Sequence, residues 1–147
     1  MVYLKKILVP TDLSPYSLAA MEYASSFGLR YMSKLYLLYV VESGQIEEGR
    51  AALKEFVEKS LSPEPRVEPV VKTGNPIVEI RRFAEQEGAD IIVMATHGRT
   101  GLRHMMMGSV AEKVVRLSSI PVLTVKPKPL RENILKDEDV ENDLHLR

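Results

Sequence analysis

The chain has no cysteine among its 147 residues. That absence excludes disulfides and thiol chemistry and fits a reducing compartment. There is no excess of charge of either sign: Lys and Arg total 20, as do Asp and Glu. A chain without net charge exerts no bulk attraction on DNA or on an anionic membrane, so neither nucleic acid nor a membrane is expected as a partner. Aromatic residues make up 6%, and Tyr36 and Tyr39 are too few and too deep in an apolar run to form a base-stacking platform. No apolar stretch approaches the ~20 residues of a membrane span. The opening Met1-Val2-Tyr3-Leu4-Lys5-Lys6-Ile7 lacks the pattern of a secretory signal, because basic residues interrupt a very short apolar run and Pro10 and Asp12 follow at once. A cytoplasmic location is the expectation.

What is present is a regular alternation. Lys5-Lys6-Ile7-Leu8-Val9-Pro10 is continuously apolar after its lysines, the mark of a strand in a parallel sheet covered on both faces. Ser14-Pro15 is a helix-start signal, and Ala20, Met21, Ala24, Phe27 and Tyr31 follow at helical spacing, with Gly28 where the helix packs closely or begins to end. Residues 35–41 read as a second strand, Gln45 to Leu61 as a charged helix with Ile46, Leu53, Phe56 and Val57 on its buried stripe, and Arg66 to Lys72 as a third strand whose charge suits a sheet edge. Asn75 and Pro76 open a third helix that Gly88 ends. Ala89 to Met94 is a fourth strand, Val110, Val114 and Leu117 lie on one face of a fourth helix, and Ile120 to Val125 is a final strand with Pro121 near its start. Strand and helix thus alternate four times before a fifth strand. The pattern predicts an α/β fold: one open parallel sheet with right-handed crossovers and helices on both faces.

The stretch from Ala95 to Val110 joins the fourth strand to the fourth helix and holds Gly98, Gly101 and Gly108. Glycine permits close backbone approach and positive φ. The first turn of the helix adds unpaired N–H groups and the positive end of its dipole, and Ser109 adds a hydroxyl. This is the chemistry of a phosphate site, although many loops of this kind hold glycine for turn geometry alone. Ligands of open α/β sheets bind beyond the strands' carboxyl ends where the strand order reverses. The first and fourth strands are the natural neighbours there, so Pro10-Thr11-Asp12 is expected to face residues 95 to 109. Asp12 would then accept from ribose hydroxyls; it can also simply cap the turn that follows it.

The segments Ile7-Leu8-Val9-Pro10-Thr11-Asp12, Thr96-His97-Gly98-Arg99-Thr100-Gly101, Gly108-Ser109-Val110-Ala111 and Pro121-Val122-Leu123-Thr124-Val125 closely resemble the universal stress protein family, over about residues 3 to 127. The resemblance implies a five-stranded parallel sheet of order 3-2-1-4-5, Rossmann-like and similar to the adenine nucleotide alpha hydrolases, and a homodimer joined through the last strand, Ile120 to Val125. For the nucleotide-binding branch it implies ATP, or AMP or ADP, with Mg2+ carried by the phosphates. The loop form there is glycine, two residues, glycine, nine residues, glycine, then serine or threonine. Gly98 matches the second glycine, and Gly108 and Ser109 match the end; Ala95 stands where the first glycine belongs, and although one added methyl could crowd the ribose or force a small shift, the departure reads as tolerated, because the non-binding branch departs far more broadly in this loop. By the same resemblance Asp12 and the backbone around Val40 flank adenine and ribose. Gly98, Arg99, Gly108, Ser109 and Val110 surround the phosphates, and Pro10, Thr11, Met94 and Ala95 complete the set.

The function this implies is an ATP-binding regulatory stress-response protein whose nucleotide occupancy sets a loop or dimer surface that a protein partner reads. A nucleotide-free stress scaffold and a slow ATP hydrolase are the alternatives. The chain has no Walker lysine motif, no His-Ile-Gly-His and no Ser-Gly-Gly, and no side chain is evidently placed to activate water, so catalysis is not expected beyond slow hydrolysis. His97 and His104 have no second ligand at a metal-binding spacing. Arg103 reads as a solvated charge, and Met105-Met106-Met107 as packing under the loop. Residues 1–127 form the expected domain. Residues 128–147 are a charged tail, expected to be frayed, with a short docked helix from Leu130 to Leu144 as the alternative.

Overall fold

The computed structural model describes residues 1–61, 66–98, 107–127 and 137–145. Among these, the strands are β1 (Lys6–Thr11), β2 (Lys34–Val41), β3 (Val67–Thr73), β4 (Ile91–Ala95) and β5 (Val122–Val125). The helices are α1 (Leu18–Tyr31), α2 (Ile46–Ser60), α3 (Pro76–Glu87), α4 (Ser109–Leu117) and α5 (Asp137–His145). The strands form one parallel sheet of order β3-β2-β1-β4-β5, as the alternation and the family resemblance together imply.

Side chains alternate across the strands, so the sheet divides the core in two. Ile7, Val9, Leu35, Leu37 and Val93 pack on one face against Ala20 and Ala24 of α1 and Leu53 of α2. Leu8, Leu38, Ile92 and Met94 pack on the other face against Ile80 and Phe83 of α3 and Ala111 and Val114 of α4. The chain winds outward from β1 to β3 on the first face, then returns to β4 across the second. Order therefore reverses between β1 and β4, which pair directly through Ile7 with Ile91 and Leu8 with Ile92.

β3 occupies an edge, as its charge suggested, and Pro69 within it is exposed, a position that only an edge strand tolerates well. At the amino end of the sheet, Lys34 bonds Glu68 across the β2–β3 seam at 2.6 Å. That carboxylate, followed by the Tyr36 hydroxyl, raises the Lys34 pKa above its usual value.

The start of α1 departs from expectation. Ser14 lies in extended backbone and its hydroxyl caps nothing. Its carbonyl closes a 3-10 turn instead, accepting from Ser17 N–H at 3.1 Å, so α1 begins only at Leu18. At its other end α1 runs through the buried Gly28 to Tyr31, and Met32 ends it in the left-handed region at φ 53°. Asn75 behaves as its sequence position suggested: its side-chain oxygen accepts from Ile77 N–H at 3.0 Å and Val78 N–H at 3.3 Å. Asn75→Ala is expected to cost about 1 kcal/mol of stability, read as a lower urea midpoint with an unchanged slope. In the charged tail the described residues are helical from Asp137 to His145, with Val140 and Leu144 exposed; residues 128–136 and 146–147 lie outside the described residues.

Candidate functional site

The strand-order reversal opens a cavity of about 290 Å³ at the carboxyl ends of the strands. Its apolar wall is an extension of the second core face: Leu38 and Val40 from β2, Ile80 and Pro76 from α3, Met94 from β4, and Ala111 from α4. Its polar side comes from two loops. Pro10, Thr11 and Asp12 arrive at the end of β1, while Ala95, Thr96, His97 and Gly98 leave β4, and Gly108, Ser109 and Val110 open α4.

The two loops approach each other at Gly98. A Cβ placed on Gly98 would overlap Asp12 Oδ2. Asp12 Oδ1 accepts from Ser14 N–H at 3.0 Å, so one carboxylate oxygen holds the turn while the other faces Gly98. Of the two uses that the sequence allowed for Asp12, the capping of the following turn is the one seen here. Leu13, between Asp12 and Ser14, has φ 64°. A non-glycine residue in that region costs roughly 1–3 kcal/mol and persists where its surroundings over-determine it. Here they do: its N–H donates to Thr11 Oγ1 at 3.0 Å, and its side chain packs on the first core face.

Gly108 caps α4. Its N–H donates to the Thr96 carbonyl at 2.7 Å, and an added Cβ would sit 3.1 Å from that same oxygen. Neither Gly98 nor Gly108 has positive φ. Of the two properties that glycine offered here, positive φ is not used and close approach is: an added Cβ would press on the Asp12 side chain at Gly98 and on the Thr96 carbonyl at Gly108. Beyond Gly108, the first N–H groups of α4 lack helical acceptors, as at any helix start, and Ser109, Val110 and Ala111 border the cavity.

Ala95 joins the cavity wall, yet it also packs against the first core face with Val93. That packing gives the extra methyl a place beside α1. His97 is buried, and its Nδ1 lies 2.6 Å from Thr96 Oγ1. Among the described residues no cluster of three His, Asp or Glu groups is arranged to hold a metal. Arg99, Arg103, His104, Met105 and Met106 lie outside the described residues; Met107 is half-buried against the second core face.

A sequence profile of the universal stress protein family matches residues 4–126. The chain belongs to the universal stress protein family. Among universal stress proteins, MJ0531 of Methanocaldococcus jannaschii is 36% identical over 145 residues, covering 87% of this chain and 85% of its own. MJ0577 of the same organism is 32% identical. Its solved structure aligns with a TM-score of 0.72 over 86% of this chain and 99% of that one. A universal stress protein crystallised in complex with cAMP aligns at 25% identity and a TM-score of 0.67, covering 86% of this chain and 98% of that one. Among the described residues of this universal stress protein, no helix is long and apolar enough to cross a membrane.

The structure gathers at one cavity Pro10, Thr11, Asp12, Val40, Met94, Ala95, Gly98, Gly108, Ser109 and Val110, residues the family resemblance had named. It adds Ser17, Leu38, Tyr39, Pro76, Ile80, Thr96, His97 and Ala111. Thr96 and His97 fall in the loop that the sequence had marked, whereas Leu38, Tyr39 and Ile80 read as core. Leu38 and Ile80 carry the same periodic signal as any buried leucine or isoleucine, and only the sheet order exposes their ends to a cleft.

Proposed function

We propose that this universal stress protein binds ATP, or AMP or ADP, and acts as a nucleotide-dependent regulator. The observation that carries this reading is the meeting of an acceptor, Asp12, with a glycine-lined helix start at Gly108, around one apolar cavity. The donor set fits the group. Leu38, Val40, Ile80 and Met94 offer a dry slot for a base, and the cavity is close to the lower end of the roughly 300–1,000 Å³ typical of small-molecule sites. Asp12 accepts from ribose hydroxyls. The N–H groups at the start of α4 face the phosphates, where the helix dipole favours negative charge. Mg2+ enters with the phosphates and needs only one or two protein oxygens. A universal stress protein of the same fold crystallised in complex with cAMP supports an adenine nucleotide as the ligand.

Regulation follows from where the site lies. Its walls belong to α3, α4 and the β1 loop, so nucleotide stabilises one arrangement of these elements, and a partner protein reads it. Pairing of two copies through residues 120–125 would place β4, and hence the loop after it, one strand from the partner copy. Residues 1–127 are the nucleotide-binding domain, and the tail lies outside it.

Isothermal titration with Mg-ATP is the test. Saturable binding at one site per chain is expected. Asp12→Ala is expected to weaken it about tenfold, the cost of a charge-assisted hydrogen bond. No heat and no binding at millimolar ATP would favour the nucleotide-free scaffold; steady turnover lost on Asp12→Ala would favour a hydrolase.

A further inference from the structure

A ring of hydrogen bonds at the end of β1 has no part in the contacts assigned above. Ser17 Oγ–H donates to the Ser14 carbonyl at 2.8 Å. A hydroxyl has one proton, so the 2.9 Å bond between the Thr11 and Ser17 hydroxyls is donated by Thr11. Thr11 Oγ1 in turn accepts from Leu13 N–H at 3.0 Å. The ring therefore runs in one direction, from the Leu13 amide through two hydroxyls to the Ser14 carbonyl. Both hydroxyl residues are buried, Thr11 at 9% and Ser17 at 3% exposure, which shields the ring from competing water. Enclosed by it are Leu13, in the left-handed region at φ 64°, and the backbone of Asp12.

We infer that Ser17 is a positioning residue for the site, a conclusion that rests on the nucleotide reading above. Its hydroxyl fixes the rotor of Thr11, Thr11 holds the Leu13 amide, and the strained Leu13 backbone aims the Asp12 carboxylate at the ribose. Ser17 borders the cavity, but its proton is already given to Ser14 and its oxygen already accepts from Thr11. It acts through Thr11 and not through the ligand. Ser14 provides an internal control. Its Oγ is buried and has no hydrogen-bond partner among the described residues, so Ser14→Ala removes a neighbouring hydroxyl without opening the ring.

The test compares Ser17→Ala, Thr11→Val and Ser14→Ala with the wild-type chain. Amide exchange at Leu13 and Ser14 is followed by NMR without nucleotide. Affinity is then measured for ATP and for 2′,3′-dideoxy-ATP, which offers no ribose hydroxyl. Ser17→Ala is expected to speed exchange at those two amides about tenfold and to weaken ATP about tenfold, the scale of one buried hydrogen bond. It should weaken the dideoxy analogue less than about twofold, because that ligand makes no use of Asp12. Thr11→Val should open the ring from its other side and speed the same two amides, which keeps the test decisive if Ser17→Ala does not fold. Ser14→Ala should leave exchange and affinity as in wild type. Unchanged exchange in Ser17→Ala would overturn the inference, and so would equal losses for both nucleotides, which would mark a general loosening of the fold. A wild type that takes up no ATP refutes the nucleotide reading and removes the ligand from the inference. The exchange result, obtained without nucleotide, tells that failure apart from a failure of the ring.

Discussion

Gly108→Val is expected to weaken ATP about a hundredfold or more, a loss of at least about 2.7 kcal/mol in binding free energy. The backbone itself accepts valine, since Gly108 sits at φ −61° and ψ 151°, ordinary extended values for a branched residue. The obstacle is Thr96. A Cβ at position 108 would stand 3.1 Å from the Thr96 carbonyl oxygen, and two further methyls must go beyond it. Relief comes only by moving the start of α4 away from β4. That breaks the 2.7 Å bond from Gly108 N–H to Thr96 and carries off the amides proposed to hold the phosphates. Stability should fall far less than affinity, by about 1–2 kcal/mol, as for a poor residue at a helix cap. Titration calorimetry paired with a thermal melt separates the two. Wild-type affinity in this variant would mean that the phosphates lie elsewhere.

Gly98→Ala is expected to cost about thirtyfold in ATP affinity, more than deleting the Asp12 carboxylate. The new methyl would occupy the space of Asp12 Oδ2, so the carboxylate must swing away or intrude on the cavity, and the Asp12–Ser14 bond goes with it. The two positions should therefore be coupled. In an Asp12→Ala background the methyl finds room, and Gly98→Ala should then add almost nothing. The double variant is expected to bind about as well as Asp12→Ala alone, and better than Gly98→Ala alone. Such non-additivity is the signature of residues in contact; simple addition of the two losses would contradict the placement of Gly98 against Asp12.

Much of the scaffold was legible because the relevant signals are local. A continuous apolar run marked β1 as buried on both faces, and residues 35–41 and 89–94 stood out as strands. Asn75 and Pro76 marked the start of α3, and Gly88, at φ 64°, marked its end. The start of α1 was not legible. Ser14-Pro15 is a sound cap signal, but the Asp12 side chain takes the Ser14 N–H and the Ser14 carbonyl takes both the amide and the hydroxyl of Ser17. A 3-10 turn forms where a helix was expected. Competition among several short polar side chains within six residues is decided by geometry that spacing does not encode.

The site was legible in part for a similar reason. Asp12 and the Gly98 and Gly108 backbone stood out because a carboxylate and glycines at strand ends are rare among apolar runs. Close approach was one of the two reasons that glycine offered there, but its partners were not legible: at Gly98 the neighbour is Asp12, 86 residues away in another loop, and at Gly108 it is the Thr96 carbonyl, 12 residues away across a fold of the same connection. The apolar half of the cavity left no distinguishing mark at all. Leu38, Ile80 and Met94 serve both as core and as wall, and their pattern is that of core. Ala95 shows the converse. Its departure from the family's loop form reads as tolerated in the sequence, and only the structure shows that its methyl has a partner surface on the α1 side of the sheet.

The most direct test is a crystal structure of the protein grown with excess Mg-ATP. Density for the nucleoside between Ile80 and Met94, a ribose hydroxyl on Asp12 and phosphate oxygens on the amides that follow Gly108 is the expected result. A cavity holding only water, or a nucleotide seated away from both Asp12 and Gly108, would contradict it.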